Sequence, residues 1–281
     1  MGRHTPAGGW VAIVREQPGR YNLIRWVRFP WGLYNAANGT VYPAAGDIDG
    51  DGKDELILGP GSYAPNGGWA AVLDDMDTNF AVLPWIRGGW ASYNGASGEV
   101  HPATGDIDGD GFDEVILGYA SGGGGVVHVR DDALRGYATL AVLTYPNSVY
   151  NSQNGTTWPA CCNTTGSAGA EILIGPGAGG QGIAQIYADT AGGYARIGAL
   201  SFPWQAYNAA QGEVRLAAGN LDGDRFAEVV LGTGTYPTTG GWLYIAENVT
   251  TGSTSGIWRN IGMPAYTSVN GECFPSAGQL R

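Results

Sequence analysis

The stretch that decides the fold is Gly46–Gly59, GDIDGDGKDELILG, which recurs 59 residues later as Gly105–Gly118, GDIDGDGFDEVILG. Each stretch places carboxylates at alternate positions, then a glycine, then an acidic residue just before an apolar run. Glycine supplies the positive φ that a tight turn needs, and the apolar run is typical of a buried strand. Each stretch is therefore predicted to form an acidic turn that leads directly into a strand.

The crowding of carboxylates in these turns predicts a bound cation. At a separation of about 5 Å and an effective dielectric of about 20, two carboxylates repel by roughly 3 kcal/mol. Three of them cost several kcal/mol, which is comparable with the stability of a whole domain, about 5–15 kcal/mol. Oxygen ligands on a flexible loop favour Ca²⁺ over Mg²⁺ or Mn²⁺. A solvated acidic turn without a metal is the alternative.

The EF-hand shares this opening but needs a bidentate Glu at loop position 12 and a helix on each side. Position 12 is Leu58 in one stretch and Leu117 in the other, so these are predicted to be loops between strands. The acid at the ninth position is expected to close the cage, with the aspartate before it as the alternative. These residues are Glu55 or Asp54 in the first loop and Glu114 or Asp113 in the second.

Composition favours an all-β protein with many turns, because the chain has 49 Gly and 10 Trp among 281 residues and only 14% charged residues. A net charge of −11 disfavours nucleic acid and anionic membranes as partners.

No apolar run is long enough for a transmembrane helix, and no signal peptide is recognisable. We expect either that a leader has been removed or that the chain begins inside a longer gene product. Cys161, Cys162 and Cys273 are predicted to be buried free thiols.

The chain contains five copies of one repeat, with a period of about 58 residues. One equivalent position is occupied by Gly46, Gly105, Cys162, Gly219 and Gly278. Each copy is predicted to hold four short strands, which in the second copy cover residues 99–103, 114–119, 126–130 and 138–145. Four strands per copy without helical periodicity indicate a β-propeller, and a solenoid or sandwich is the alternative. The predicted single domain covers 1–281, with repeats at 36–94, 95–151, 152–208 and 209–264, and a last blade made of 265–281 plus 1–35.

That last blade is predicted to be split between the two ends of the chain. Residues 5–13 match the third strand of a blade, and residues 276–281 match the first strand and the start of a loop. The split blade therefore lacks its loop and its second strand. A tolerated thin blade, a longer repeat array and a strand donated by another chain all remain open, because an unpaired strand position is a pairing template.

The remaining loops depart from the acidic pattern. In the third loop, 163–171, only the final Glu171 remains, so this loop is predicted to have lost its metal. The fourth loop keeps Asn220, Asp222, Asp224 and Glu228, but Arg225 replaces a turn glycine. Arg at positive φ is strained and adds a cation, so this loop is predicted to be a weaker site.

The repeated Gly-Asp-Ile-Asp-Gly-Asp-Gly-x-Asp-Glu pattern with its following strand resembles the FG-GAP repeat of integrin α-subunit propellers and the related VCBS repeat. The resemblance covers all five copies and is strongest at 46–59 and 105–118. It implies a β-propeller with Ca²⁺ held in loops between strands, although integrin propellers have seven blades. The ligands that it implies are Asp47, Asp49, Asp51, the carbonyl of Lys53 and Glu55, and Asp106, Asp108, Asp110, the carbonyl of Phe112 and Glu114.

Two further groups of residues have weaker functional implications. A Pro-Trp-x-x-Tyr-Asn element stands at 30–35 and 203–208, with an interrupted form that pairs Trp85 with Tyr93. Its aromatic rings are expected to pack between blades, with sugar stacking as the alternative.

The histidines, His4, His101 and His128, form no recognisable catalytic motif. The acidic residues Asp74, Asp75, Asp131 and Asp132 are expected to lie in surface turns, with a catalytic carboxylate pair as the alternative.

These observations predict an extracellular or cell-surface propeller, stabilised by Ca²⁺, that is not an enzyme. It would serve as an adhesion, recognition or assembly module for a protein or glycan ligand, with self-association as a further option. Two confident calcium sites are expected, with a third in the fourth loop. The alternatives are a carbohydrate-binding lectin, a self-assembling subunit completed by strand donation, and a polysaccharide-acting enzyme. No nucleic-acid partner and no membrane insertion are expected.

Overall fold

The computed structural model describes residues 8–17, 20–236, 240–247, 249 and 255–276, and in these residues the chain is almost entirely antiparallel sheet. The strands are β1 (Trp10–Gln17), β2 (Arg20–Arg28), β3 (Val41–Gly46), β4 (Glu55–Pro60), β5 (Trp69–Leu73), β6 (Ile86–Arg87), β7 (Val100–Gly105), β8 (Glu114–Tyr119), β9 (Val126–Arg130), β10 (Thr139–Thr144), β11 (Thr157–Cys162), β12 (Glu171–Pro176), β13 (Ile183–Tyr187), β14 (Arg196–Ser201), β15 (Val214–Gly219), β16 (Glu228–Thr233), β17 (Trp242–Ala246) and β18 (Gly256–Asn260). The short helices are α1 (Gly32–Ala37), α2 (Ala91–Ala96), α3 (Ser148–Gln153), α4 (Gln205–Ala210) and α5 (Pro264–Thr267). No described helix is long and apolar enough to cross a bilayer.

Four sheets of four strands follow the chain in order, β3 to β6, β7 to β10, β11 to β14 and β15 to β18, and a further sheet pairs β1 with β2. The four-stranded sheets are the blades of a β-propeller, as the repeat predicts. Their first strands contact one another in the order β3, β7, β11 and β15. The strands of the second blade lie within one or two residues of their predicted bounds.

Each hydrophobic cluster spans a boundary between neighbouring blades. One joins β2 and α1 to the first blade, and the next three join the first blade to the second, the second to the third and the third to the fourth. The second strands β4, β8, β12 and β16 are buried at all six positions, because they lie in the middle of each blade. This explains the continuous apolar runs in these strands, which cover both faces of the sheet.

The fifth blade consists of β1, β2 and the segment 271–276. Pro275 packs on Gly232 of the fourth blade in the way that Pro102 packs on Gly59 at the first boundary. The amide of Cys273 donates to the carbonyl of Thr233 at 2.8 Å. Segment 271–276 therefore occupies the position of a first strand. No second strand accompanies it among the described residues, and positions 1–7 and 277–281, including Gly278 and His4, lie outside them.

One equivalent residue from each first strand meets in the centre of the ring. The five residues are Tyr42, His101, Trp158, Arg215 and Phe274. His101 stacks on Trp158 with ring centroids 3.6 Å apart, and Arg215 lies 3.8 Å above the ring of Phe274. Phe274 also contacts Tyr42, with ring centroids 6.2 Å apart. The fifth blade thus meets the first, and the ring closes through side chains.

The repeated aromatic element forms the short helices before each first strand, and its tyrosine is a structural link between blades. Tyr207 is fully buried, and its hydroxyl donates to the carbonyl of Glu213 at 2.7 Å and accepts from the amide of Gly234 at 2.7 Å. Tyr93 and Tyr150 make the equivalent pair of hydrogen bonds. The expectation that these rings pack between blades is confirmed.

Two details of the sequence interpretation change. Trp90, and not Trp85, precedes α2 as Trp31 precedes α1, so the interrupted element contains Trp90. The sequence alignment missed this because both tryptophans stand close to Tyr93. All three cysteines are free, as predicted, but Cys161 is only half-buried.

Candidate metal centres in the acidic loops

The first acidic loop is the connection between β3 and β4, where Gly46 is paired with Glu55 in the last rung of the ladder. Ile48, which lies between the first two aspartates, is fully buried and anchors the loop against the core of the first and second blades. Because this residue points inward, the acidic residues on either side of it point away from the core. The equivalent anchor in the second loop is Ile107.

Backbone amides of the first loop hold its carboxylates in place. Asp47 accepts hydrogen bonds from the amides of Gly50 at 2.8 Å and Gly52 at 3.0 Å. Both glycines have positive φ, 80° and 88°, which turns their N–H groups toward that carboxylate. Asp47, Asp49 and Glu55 each bring one carboxylate oxygen within 4.8 Å of the others. The loop thus gathers three anionic oxygens at the predicted position.

The second loop repeats this geometry. Asp106 accepts from the amides of Gly109 at 2.7 Å and Gly111 at 3.1 Å. Asp106, Asp108 and Glu114 again bring carboxylate oxygens within 4.8 Å of one another. Both loops therefore gather carboxylate oxygens in the same arrangement.

Each loop contains a buried carboxylate oxygen without a hydrogen-bond partner. Glu55 is fully buried, and its Oε2 accepts from the amide of Ile48 at 2.9 Å, while its Oε1 has no partner. Oε2 of Glu114 accepts from the amide of Ile107 at 2.6 Å, and its Oε1 is also without a partner. Leaving a buried acceptor unsatisfied costs about 1–3 kcal/mol, and more for a charged group. A cation next to each Oε1 would remove this cost.

The electrostatics of both loops agree with this geometry. Burial raises the pKa of Glu55 to about 7 and that of Glu114 to about 8, and the neighbouring aspartates contribute in the same direction. Burial also raises the pKa of Asp49 and of Asp108, again with a contribution from nearby carboxylates. The raised pKa of both glutamates reflects burial among other carboxylates, which a nearby cation would offset. The donor set of carboxylate oxygens on a flexible loop fits Ca²⁺.

Asp51 is placed differently from the prediction. It lies outside the group formed by Asp47, Asp49 and Glu55, and its carboxylate is 3.4 Å from the ammonium of Lys53. Its counterpart Asp110 is grouped with Glu114 and Asp132, and it forms an ion pair with Arg135 at 2.5 Å. The carbonyls of Lys53 and Phe112 remain predicted ligands.

In the second loop the expected glutamate, and not the aspartate that was the alternative, faces the other carboxylates. Asp113 does not turn into its own loop, because its carboxylate packs against Gly46 of the first loop. Its amide donates to the carbonyl of Asp47 at 2.8 Å. Burial, with the charge of Asp54 as the next cause, raises the pKa of Asp113 to about 6. Asp113 therefore connects two loops and leaves the cage to Glu114.

In the third loop, the carboxylate of the glutamate is hydrogen-bonded by hydroxyl and amide groups of the protein. Glu171 accepts at Oε1 from the hydroxyl of Thr165 at 2.6 Å and from that of Ser167 at 3.0 Å. These hydroxyls stand where the second loop has Asp108 and Asp110. Oε2 of Glu171 accepts from the amide of Thr164 at 2.7 Å, as in the other loops. The protein thus supplies internally the partners that Glu55 and Glu114 lack, which supports the predicted loss of a metal here.

The fourth loop is intermediate. Asp222, Asp224 and Glu228 bring carboxylate oxygens within 4.8 Å of one another, as the prediction of a weaker site requires. The predicted strain at Arg225 is wrong, since positive φ in this loop occurs at Gly223 and not at Arg225. Asn220 explains the difference, because its amide group donates to the carbonyl of Asp224 at 2.6 Å. An asparagine in this position removes the need for the second left-handed residue that the first two loops have at Gly52 and Gly111.

Hydrogen bonds connect the loops of neighbouring blades. The amide of Ala170 donates to the carbonyl of Asp106 at 2.7 Å, and the amide of Ala227 donates to the carbonyl of Asn163 at 3.0 Å. The bond from Asp113 to Asp47 is the equivalent connection between the first two blades. A cation that orders one loop would therefore also order the contact with the next blade.

Buried acidic residues between the third and fourth strands were not foreseen. Asp75, Asp131 and Asp132 are 2%, 6% and 0% exposed, so the expectation of surface turns is wrong for them. Asp75 pairs with Lys53 at 2.7 Å, and Asp132 pairs with Arg135. The 57-residue spacing of Asp75, Asp132 and Asp189 was the signal in the sequence, since it matches the repeat period. Asp75 and Asp132 thus hold the basic side chains of Lys53 and Arg135 next to the first and second loops.

The described histidines take part in packing. His101 is 2% exposed, and its Nδ1 donates to the carbonyl of Thr157 at 2.9 Å, while its Nε2 is 3.0 Å from Glu99. His128 pairs through its Nδ1 with the hydroxyl of Tyr119. Both rings are therefore held by neighbours, which agrees with the absence of a catalytic motif in the sequence.

Comparison with known proteins gives matches among solved structures and none among family profiles or curated sequences. Among solved structures, the rhamnogalacturonan lyase YesW is 15% identical to this chain, with a TM-score of 0.42. The alignment covers 79% of this chain and 49% of that protein, so the chain spans about half of its length. This similarity carries no information about what the chain binds or acts on.

Proposed function

We propose that this chain is a calcium-binding β-propeller of the FG-GAP or VCBS type that acts outside the cell as a non-catalytic module for recognition or assembly. The observation that carries the proposal is the unpartnered Oε1 of Glu55 and of Glu114, each buried beside two aspartates. A Ca²⁺ bound in each loop would take that loop's Oε1 atom as a ligand. Calcium sites of extracellular modules have dissociation constants of about 10⁻⁴–10⁻³ M, which suits an environment rich in calcium.

A structural role for the metal follows from where these loops lie. Each loop joins the first strand of a blade to the buried second strand, and its backbone is hydrogen-bonded to the loop of the next blade. Because the cation would join the loop to the first residue of the second strand, it would stabilise the blade and the contact between blades. A structural role of this kind requires no open coordination position for a substrate.

A non-catalytic role is supported by the ion pairs and packing contacts that the candidate catalytic groups already make. Asp75 and Asp132 are neutralised by Lys53 and Arg135. His101 is stacked on Trp158 and buried. The half-buried Trp31 and Trp204 pack against tyrosines, so the lectin alternative gains no support from them.

The test is thermal unfolding of the purified chain with calcium and with EGTA. At a calcium concentration about a hundredfold above the dissociation constant, each site adds about 2.7 kcal/mol to the free energy of unfolding. For a domain of this size that corresponds to about 5–10 °C in melting temperature per site. We expect calcium to raise the melting temperature and magnesium to raise it much less. A melting temperature that is the same in EGTA and in calcium would overturn the proposal.

A further inference from the structure

In the first blade, a basic side chain connects the acidic loop to a buried aspartate. Nζ of Lys53 lies 2.7 Å from the carboxylate of Asp75 and 3.4 Å from that of Asp51. Asp51 is the third aspartate of the loop, and its side chain is 42% exposed, whereas that of Asp75 is 3% exposed. The shorter distance and the burial of Asp75 indicate that Lys53 is anchored on Asp75 and can release Asp51.

The second blade has the same arrangement, with Arg135 as the basic residue. Its Nη1 lies 2.5 Å from the carboxylate of Asp110, the third aspartate of that loop, and it also pairs with Asp132, whose side chain is fully buried. One carboxylate oxygen from each of Asp110, Asp132 and Glu114 lies within 4.8 Å of the others. The guanidinium group is therefore bound to carboxylates that adjoin the glutamate of the proposed calcium site.

The basic residue comes from two different positions in the repeat. Lys53 belongs to the loop itself, and the corresponding residue of the second loop is Phe112. Arg135 belongs to the turn after β9, and the corresponding residue of the first blade is Thr78. The two turns are equivalent, because each of these residues donates its amide to the buried aspartate three positions earlier, at 2.9 Å and 3.0 Å. The two loops thus share the positive charge and not the sequence position that supplies it.

The third blade, whose loop has lost its aspartates, has glycine at both of these positions, Gly169 and Gly192. Asp189 still occupies the place of the buried aspartate and is 6% exposed. Its carboxylate accepts from the amide of Gly192 at 2.7 Å. The buried aspartate is therefore part of the turn in all three blades, whereas the basic residue accompanies the loop aspartates.

We propose that Lys53 and Arg135 are counter-ions built into the first two loops, which compete with Ca²⁺ for the third loop aspartate and so weaken the binding of the ion. Without metal, each basic group offsets the repulsion among the loop carboxylates. When Ca²⁺ binds, Asp51 or Asp110 has to leave the basic group before it becomes a ligand, and the remaining positive charge repels the ion. The inference rests on the proposed calcium binding and deepens it by naming residues that set the affinity.

The test uses the first loop, because both of its alternative positions, 53 and 78, are exposed. Lys53→Met removes the charge. Lys53→Met with Asp75→Asn removes the ion pair as a whole, so that no buried carboxylate is left without its partner. Lys53→Met with Thr78→Arg gives the first blade the arrangement of the second and serves as the rescue. Hydrogen exchange of segments 47–55 and 106–114 at increasing calcium concentrations gives the affinity of each loop.

We expect Lys53→Met, alone or with Asp75→Asn, to bind calcium in the first loop about tenfold more tightly, because the ion no longer faces a positive charge. The rescue variant should return to the affinity of the natural chain. Segment 106–114 should keep its affinity in all variants and serves as the internal reference. In EGTA, Lys53→Met should unfold at a lower temperature than the natural chain, since its loop carboxylates have lost their counter-ion. A purely structural ion pair would change the melting temperature but not the affinity.

An unchanged or weaker affinity of the first loop in either charge-removing variant that folds would overturn the inference. A rescue variant that binds as tightly as Lys53→Met would also overturn it. Both results would leave the proposed function intact, provided that calcium slows exchange of segments 47–55 and 106–114 in the natural chain. If calcium protects neither segment there, the proposed function fails and the inference fails with it.

Discussion

The second and third loops both place a glutamate at the start of the second strand, but they provide for its carboxylate in opposite ways. In the third loop, the hydroxyls of Thr165 and Ser167 donate to Glu171. In the second loop, carboxylates occupy those two positions, and Oε1 of Glu114 is left without a partner. A glutamate at the start of the second strand is thus part of the hairpin in both blades, and the residues facing it decide whether a cation is needed.

A second difference concerns the first residue of each loop. Asp106 accepts from two amides, one of which belongs to a glycine with a φ of 95°. Asn163 instead donates to the carbonyl of Ser167 at 2.6 Å, and Asn220 does the same in the fourth loop. The turn is therefore built in two ways. Either Asp at the first loop position is combined with Gly at the sixth, or Asn at the first position is combined with another residue at the sixth. The fourth loop combines the second solution with the carboxylates of the first two loops.

The largest expected effect comes from Glu114→Gln. In calcium this variant loses a charged ligand, and the free energy of unfolding should fall by about 2.7 kcal/mol at a hundredfold excess of calcium. In EGTA it should be more stable than the natural protein, because a buried carboxylate without a partner has become neutral. Unfolding in denaturant under both conditions measures this reversal of sign.

The matched control is Glu171→Gln. Its carboxylate accepts from hydroxyls of the protein, so the substitution should destabilise by about 1–3 kcal/mol, equally with and without calcium. If Glu114→Gln and Glu171→Gln respond to calcium in the same way, the distinction between the two loops is wrong.

A smaller effect is expected from giving the fourth loop the Asp and Gly residues of the first two loops. The double variant Asn220→Asp and Arg225→Gly should bind calcium in this loop about tenfold more tightly, which corresponds to about 1.4 kcal/mol. Titration calorimetry measures the change. As a control, Asn163→Asp in the third loop should gain no binding, since Thr165 and Ser167 remain. Unchanged affinity in the double variant would show that the turn does not limit this site.

A further expected effect is the pH dependence of the metal-free protein. Glu55 and Glu114 have a pKa of about 7 and about 8 in the folded chain, against 4.5 ordinarily. The folded state therefore binds these protons more tightly than the unfolded state, and their stabilising effect is lost as the pH rises through that range. In EGTA the melting temperature should fall between about pH 5 and pH 8. The double variant Glu55→Gln and Glu114→Gln should lack this part of the decline, and a decline of the same size in that variant would contradict the assignment.

The sequence predicted the features that depend on local pattern. The alternation of carboxylates with glycines and the apolar runs after them located both acidic loops and the buried second strands, because hairpin geometry and burial act within a few residues. The predicted strand 114–119 coincides with β8, and the strand 126–130 coincides with β9. The split blade could be predicted because residues 5–13 and 276–281 match strands in the other copies of the repeat.

Features that depend on side-chain partners were missed. The burial of Asp132 depends on its ion pair with Arg135, and the position of Asp113 depends on Gly46 of another blade. The strain predicted at Arg225 ignored Asn220, whose side chain changes which turn the loop adopts. A pattern of residue types does not show which side chains will contact one another, even within one loop.

The most direct measurement is the anomalous scattering of calcium in crystals grown with this ion. We predict one anomalous peak in each of the first two loops, about 2.3–2.6 Å from Oε1 of Glu55 and from Oε1 of Glu114. No peak is expected beside Glu171. Empty density at both predicted positions, or a peak beside Glu171 in their place, would contradict the account.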